Sequence, residues 1–450
     1  MSKLRKNFYA DVLKAFEKFG YTAEEFLSKK DNPIDDGLRC FTLSRQGKTV
    51  FVSLTDPKVK GGTFSIPALK YFHEFLDHIE TDSNRSPYLF LSCSGGVRLT
   101  QSRTMFNHVW GILPRLFKLR KQRLYLSMAH EFCLGAAALF FGQAHFRIAS
   151  TESTLVNLTG PSVINRFFGK EENFNQYASA GHQIERHLLV QEVCFDLESA
   201  LERLQQVLLF ETGEKFLAFS YSGSLTPEIR GELPPHFNFK KDRFEHFFEM
   251  ISDQHVELMP NTSGSGQTFL CRKGDKKFGV LINPLDHPVN TISVATIERY
   301  TEAIEIFKAM QVPLLSVTDT PGGDPRQRNS DHGVILKTLR LIELLCDYPF
   351  SKMGLIAGRC FGGSGLLALP TVHGSKGLYA LTTAKMGAMA DEMIEAIAKT
   401  NAASLEEWTI TKNSHKSDLS DMLETGNLQQ VIAWEKLPLL MESFLGDKQL

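Results

Sequence analysis

Several things are scarce or missing in this chain of 450 residues. It has only seven cysteines, an odd number at wide spacings, and no C-x-x-C pair. That excludes a disulfide framework and a zinc ribbon, and fits reduced thiols in the cytoplasm. Neither charge sign dominates: 50 Lys and Arg stand against 51 Asp and Glu, a net charge of -1. A globally basic nucleic-acid binder is therefore excluded, leaving only a local basic patch open. Long hydrophobic runs are absent too. The most apolar stretch, Phe132 to Phe141, is too short to span a bilayer. The charged N-terminus reads as an amphipathic helix, not a secretory signal. These absences predict a cytoplasmic protein with no nucleic-acid and no membrane partner. What is present is an ordinary globular mix, 42% hydrophobic and 22% charged, with ample material for a core.

Periodicity divides the chain. Residues 1–30 read as a helical segment, with Phe8, Val12, Leu13, Phe16 and Phe19 at spacings of three and four. Asn32-Pro33 and Asp35-Asp36-Gly37 end that pattern. A strand is predicted over Thr49–Leu54, a helix over Pro67–Ile79, and a buried strand over Pro87–Ser92 that ends in Ser94-Gly95-Gly96. A helical stretch leads to Leu124–Met128 and then Gly135-Ala136-Ala137. The second half repeats the plan. Phe278–Ile282 is strand-like and Ser293–Met310 helical. A buried strand, Pro313–Val317, runs into Asp319-Thr320-Pro321-Gly322-Gly323. A helix over Val334–Asp347 leads to Lys352–Ile356 and Gly362-Gly363-Ser364-Gly365. Gly95 to Gly135 and Gly322 to Gly362 are both intervals of 40 residues. The chain is expected to be a duplicated α/β unit, with residues 211–262 as the connection and domains at 31–230 and 231–450.

A glycine turn after a buried strand exposes backbone N–H groups with no side chain in the way. Two such turns on adjacent parallel strands can aim two donors at one oxygen, an oxyanion hole. The chemistry served would be a thioester enolate or a tetrahedral adduct. Two copies would suit a transfer between two carbonyl partners. The plainer reading is that these glycines serve turn geometry or helix packing.

The ordered motifs resemble a known family. Asp56 and Gly61-Gly62-Thr63 are followed by Ser94-Gly95-Gly96-Val97-Arg98-Leu99, Cys133-Leu134-Gly135-Ala136-Ala137 and Leu158-Thr159-Gly160-Pro161. The second half carries Glu257-Leu258-Met259-Pro260-Asn261, Asp319-Thr320-Pro321-Gly322, Gly358-Arg359-Cys360-Phe361-Gly362-Gly363-Ser364 and Met386-Gly387-Ala388. Over residues 45–395 this set resembles the carboxyltransferase subunit of biotin-dependent acyl-CoA carboxylases, the propionyl-CoA carboxylase β type of the crotonase superfamily. The resemblance implies two tandem crotonase-like (ββα-spiral) domains, acyl-thioester on the N-terminal side and biotin on the C-terminal side. It also implies a homodimer, or a hexamer built as a trimer of dimers, with active sites between the N-domain of one chain and the C-domain of another. A carboxyl group would move between carboxybiotin and an acyl-CoA or acyl-carrier-protein thioester. The amides near Gly95, Gly96, Gly135 and Ala136 would hold the thioester oxygen, and those near Gly322, Gly323, Gly363 and Ser364 the biotin carbonyl. Gly61, Gly62, Arg98, Thr159 and Gly160 would bind substrate.

The sequence departs from that pattern in places. Thr100 and Gln101 replace a glutamine and a glutamate, bulky Leu134 precedes Gly135, and Ala136 replaces a glycine. Ser364-Gly365-Leu366 stands where A-Y and a specificity residue are usual. No A-M-K-M sequence is present, so biotin is expected on a separate protein, a biotin carboxyl carrier or a biotin carboxylase subunit.

Other constellations compete. His73-Glu74 with His78 has the wrong interval for a zinc helix, and no metal is predicted. Ser92-Cys93-Ser94-Gly95-Gly96 is close to a nucleophile elbow, which would make Ser94 a hydrolase nucleophile. Gly264-Ser265-Gly266 lacks a P-loop lysine. Arg115, Lys118, Arg120, Lys121 and Arg123 form a basic cluster, either a solvated helix face or an attractor for CoA phosphates or an acidic carrier protein. The alternatives to carboxyl transfer are a biotin-independent decarboxylase of a malonyl-type thioester, the Ser94 hydrolase, and a binding subunit that has lost one hole.

Overall fold

A computed structural model describes residues 7–28, 36–214, 247–283, 290–368, 375–387, 389 and 419–446. Pro227, Pro234 and Pro235 of the expected connection, and Ala388, lie outside the described residues. The chain divides into two compact units, Met1–Phe216 and Leu217–Leu450.

The first unit is built on eight strands: β1 (Thr22–Glu25), β2 (Leu38–Arg45), β3 (Lys48–Thr55), β4 (Tyr88–Ser94), β5 (Tyr125–Leu134), β6 (Phe146–Ala149), β7 (Leu155–Asn157) and β8 (Glu192–Val193). Their order is β1-β2-β3-β4-β5-β6-β8, with β7 also on β5. The first three strands pair antiparallel and the rest parallel. The β2–β3 hairpin turns at Gln46-Gly47, both at positive φ (47° and 75°), the geometry that matches strand twist in a two-residue loop. Every residue of β4 is buried, which is why it reads as an apolar run rather than an alternation.

Helix α1 (Phe8–Lys18) buries Phe8, Val12 and Phe16 and belongs to this unit. It does not continue to residue 30. Gly20, at φ 82°, reverses the chain, and residues 22–25 add an edge strand instead. Helix α2 (Ile66–Glu80) starts where Ser65 Oγ accepts Ala68 N–H at 3.1 Å. It buries Leu69, Phe72, Phe75, Leu76 and Ile79. Helix α3 (Ser102–Gln122) crosses from β4 to β5; α4 (Ala136–Gly142) follows β5, and α5 (Pro161–Phe168) follows β7. Helix α6 (Leu197–Thr212) closes the unit behind an Asp196–Ser199 capping box.

The second unit has the same plan. Its strands are β9 (Gln254–Leu258), β10 (Gln267–Lys273), β11 (Lys276–Ile282), β12 (Leu314–Thr320), β13 (Lys352–Phe361), β14 (Ser375–Leu381), β15 (Lys385–Gly387) and β16 (Gln430–Ile432). Their order is β16-β14-β13-β12-β11-β10-β9, with β15 on β13, antiparallel among β9, β10 and β11 and parallel over the rest. Helix α7 (Val294–Ala309) is the counterpart of α2, and α8 (Val334–Cys346) of α3; α9 (Leu437–Leu445) closes the core.

The duplication extends to irregularities. The β4–β5 register slips between Ser92 and Ser94, which pair with Ala129 and Cys133. The β12–β13 register slips between Thr318 and Thr320, which pair with Ile356 and Cys360. Each slip bends the second strand just before its glycine turn. Among the described residues, no helix is long and apolar enough to cross a membrane.

Candidate functional site

In the first unit four of the expected segments come together at the carboxyl ends of the parallel strands. Gly61 and Gly62 lie beside β4: Gly61 O accepts Gly95 N–H at 3.0 Å, and a Cβ on Gly62 would stand 2.3 Å from Cys93 O. The turn after β4 lies against the turn after β5. A Cβ on Gly96 would stand 2.6 Å from Leu134 O and 3.3 Å from Ala136 N. Gly135 N–H in turn donates to Asn157 O at 3.1 Å, joining the Leu158–Gly160 turn. Asn157 Nδ2 donates to Thr159 O at 2.9 Å.

Amide bookkeeping changes which groups can act. Gly95 N–H serves Gly61 O, Gly96 N–H donates to Ser94 Oγ at 3.1 Å, and Gly135 N–H serves Asn157 O. These three amides, expected as donors to substrate, are engaged within the protein. Their glycines shape the turns instead. The amides of Val97 and Ala136 have no acceptor among the described residues. Val97 lies in an isolated parallel bridge with Phe64: Phe64 N–H donates to Gly96 O and Arg98 N–H to Phe64 O, both at 2.8 Å. Alternation along an extended segment turns the Val97 N–H the other way. Ala136 is the first residue of α4, where no intrahelical acceptor exists.

The second unit reproduces this. Gly322 N–H donates to Thr320 Oγ1 at 3.1 Å, as Gly96 does to Ser94. Ile292 N–H donates to Gly322 O at 2.9 Å, and Asp324 N–H to Ile292 O at 3.0 Å. A Cβ on Gly322 would stand 3.3 Å from Phe361 O. Gly322 is therefore engaged, and Gly323 and Gly363 hold the amides without an acceptor among the described residues. A Cβ on either would meet nothing within 4 Å, so both turns border open space. Ser364 is buried, and its hydroxyl donates to Phe361 O at 2.6 Å.

The side chains around the turns are structural. Arg98 donates to Asp36 Oδ1 at 2.7 Å and to Thr63 O at 3.2 Å; Asp36 also accepts from Ser65 Oγ. Arg98 thus ties three loops together and is not a free substrate cation. Asp324 is held down to about 2 by hydrogen bonds from Arg326. Burial pushes the Cys133 thiol up to about 12 and Cys360 up to about 11, so neither is a nucleophile at neutral pH. Ser94 is fully buried, donates to Gly62 O at 2.7 Å and accepts from Gly96, which overturns the nucleophile reading. His73 Nε2 lies 3.2 Å from His108 O, between α2 and α3.

The basic cluster is not brought to the turns. It occupies the far half of α3, roughly 20 to 30 Å from Arg98 at 1.5 Å per residue, toward the amino ends of the strands. Arg115 is bound to Asp77 at 2.7 Å and Glu80 at 3.0 Å, and Arg123 is buried on Asp82. Arg120 is part-buried, and Lys118 lies 3.7 Å from Glu80. Lys118 and Lys121 stay exposed there, so attraction of CoA phosphates or an acidic carrier protein by Arg115, Lys118, Arg120 and Lys121 is left as a proposal. Counting glycines missed Val97 and the two hydroxyls that fix the turns. The shared S-x-G and T-x-G of Ser94-Gly95-Gly96 and Thr320-Pro321-Gly322 was the available signal.

The chain is similar to known carboxyltransferases in sequence and fold. Residues 291–432 match the carboxyl transferase domain family model. The chain is 20% identical over 407 residues to a putative propionyl-CoA carboxylase beta chain of Bacillus subtilis (strain 168), covering 86% of this chain and 76% of that protein. It is 20% identical over 376 residues to a methylmalonyl-CoA decarboxylase subunit alpha of Propionigenium modestum, covering 81% and 71%. Its fold matches the crystal structure of transcarboxylase 12S, described as a hexamer assembly, with a TM-score of 0.79 and 18% identity over 98% of this chain and 90% of that one. The two units are crotonase-like.

Proposed function

We propose, for a chain of the carboxyltransferase family, that it moves a carboxyl group between biotin carried on a separate protein and an acyl-CoA or acyl-carrier-protein thioester. The observation that carries this is the doubled turn: each unit holds a pair of backbone amides with no acceptor among the described residues, on Val97 and Ala136 and on Gly323 and Gly363. In the first unit the pair donates to the thioester oxygen. Negative charge grows on that oxygen as the α-carbon gains or loses its carboxyl group, so donors fixed in advance stabilise the enolate more than the ground state. No side-chain acid or base is needed for that stabilisation. In the second unit Gly323 and Gly363 would hold the ureido carbonyl of biotin, and the space beside both glycines is open. Bound there, biotin supplies the carrier for the carboxyl group.

A second reading uses the same first pair. The C–CO₂ bond of a malonyl-type thioester breaks, CO₂ leaves, and the electron pair remains as an enolate that water protonates. The decarboxylase subunit among the relatives favours keeping it. Incubation with malonyl-CoA, with and without free biotin, decides between them. Transfer gives acetyl-CoA only when biotin is present. CO₂ release without biotin selects decarboxylation, and no turnover with either rejects both.

Assembly from copies of the chain belongs to this reading. Phe106, Trp110 and Phe117 line an exposed stripe on α3, and Ile335, Leu336 and Leu339 one on its counterpart α8. Stripes of this kind mark interaction surfaces.

A further inference from the structure

We propose that Leu134 sets the size of the acyl group, admitting acyl chains of two or three carbons and resisting longer ones. This inference rests on the first amide pair holding the thioester oxygen. Three observations place Leu134 at the right point. Along β5 Cys133 is wholly buried in the core, so Leu134, the next residue, faces the opposite side, and it is half-exposed there. Its carbonyl lies under Gly96, and the Ala136 amide follows two residues later. Its Cδ1 lies 3.7 Å from the place a Cβ on Gly160 would take, so the side chain spans the gap between the Gly135 turn and the Leu158–Gly160 turn.

The duplicated unit supplies an internal comparison. Phe361 occupies the equivalent position before Gly362. It is only 5% exposed, and its ring lies 3.7 Å from the place of a Cβ on Gly387. There the protein covers the side chain itself. In the first unit the smaller Leu134 keeps a free apolar surface. Its neighbours Leu139, in the first turn of α4, and Leu158 are also exposed, at 41% and 62%. On this proposal the three leucines, carried by the segments around the Ala136 amide, make an apolar wall. An acyl chain attached to a carbonyl held by Val97 and Ala136 would run along that wall, with Leu134 as its end stop.

The test is equilibrium binding of acetyl-CoA and hexanoyl-CoA to the full chain, read by calorimetry, in the wild type, Leu134→Ala and Leu134→Val. The wild type should bind acetyl-CoA at least about tenfold more tightly, the discrimination expected when a pocket lacks room for extra methylenes. Leu134→Ala should bring the two within about threefold, chiefly by tightening hexanoyl-CoA, with Leu134→Val between. Melting curves establish that both variants fold. An unchanged ratio, or a wild type that prefers hexanoyl-CoA, overturns the inference. If the esters bind and malonyl-CoA is turned over while the ratio stays flat, only the role of Leu134 fails. If no CoA ester binds any of the three proteins, the functional reading fails and this inference with it.

Discussion

Gly96 lies flat against Leu134: the glycine stands at φ 88°, and a Cβ there would come within 2.6 Å of the leucine carbonyl oxygen. The contact brings the turn after β4 against the turn after β5, so the Val97 and Ala136 amides belong to two turns in contact. Gly96→Ala should therefore separate the two amides. Turnover of malonyl-CoA should fall about 100-fold or more, the effect of losing one oxyanion donor. Steady-state kinetics on a variant shown to be folded by circular dichroism checks this.

Ser94 and Thr320 fix the turns from below, each through a hydroxyl that accepts a glycine amide at 3.1 Å. Ser94→Ala leaves the buried Gly96 N–H without an acceptor and Gly62 O without a donor. It should cost about 1 to 3 kcal/mol by denaturant unfolding. As a positioning residue, Ser94 should also lower kcat while leaving KM for the thioester nearly unchanged. Ser94→Thr should restore both.

The Arg98–Asp36 pair is more than four-fifths buried on both sides. Arg98→Met would leave Asp36 charged and unpaired, at a cost of about 3 to 5 kcal/mol. Asp36→Asn combined with Arg98→Met should recover part of it. A single Arg98→Met that unfolds at the wild-type urea midpoint would contradict the assignment of Arg98 as a loop tie.

His145 and His130 are buried in the first unit, and burial lowers the basicity of both. His145 Nδ1 accepts Tyr125 N–H at 3.1 Å, which needs a neutral ring. A histidine with a lowered folded value contributes stability above its unfolded pKa of about 6.5, and that stability is lost as pH falls toward the folded value. The melting temperature should therefore drop between pH 6.5 and 5. His145→Asn should flatten this part of the profile, as followed by scanning calorimetry from pH 8 to 5.

Trp110 and Leu336 are 64% and 74% exposed, on equivalent helices of the two units. Trp110→Glu or Leu336→Glu should shift the protein toward monomer in light scattering at micromolar concentration. A wild type that is itself monomeric would contradict the assembly.

Much of the fold was legible because parallel strands buried on both faces write plain apolar runs. β4 and β12 end in glycine turns at matching intervals. The edge strands were harder. β1 is exposed over three of its four residues, and its sequence, Thr22 to Glu25, carries no alternation. The glycines marked the turns but not which amides are left without an acceptor among the described residues. That depends on acceptors supplied by distant residues: Gly61 O for Gly95, Asn157 O for Gly135. The basic cluster could not be placed from sequence, because charge along α3 gives no sign of which end of the helix meets the turns.

Rate enhancement here is assigned to single N–H groups, so removing one is the direct test. Replacement of Ala136 by lactic acid turns its amide into an ester and deletes the donor without changing the side chain. That N–H has no acceptor among the described residues, and the ester weakens only the Gly135 carbonyl that accepts Leu139 N–H at 3.3 Å, so the loss of stability should stay within about 1 kcal/mol. The rate of malonyl-CoA turnover should fall by about 10²- to 10³-fold. A rate within threefold of the wild type would contradict the account.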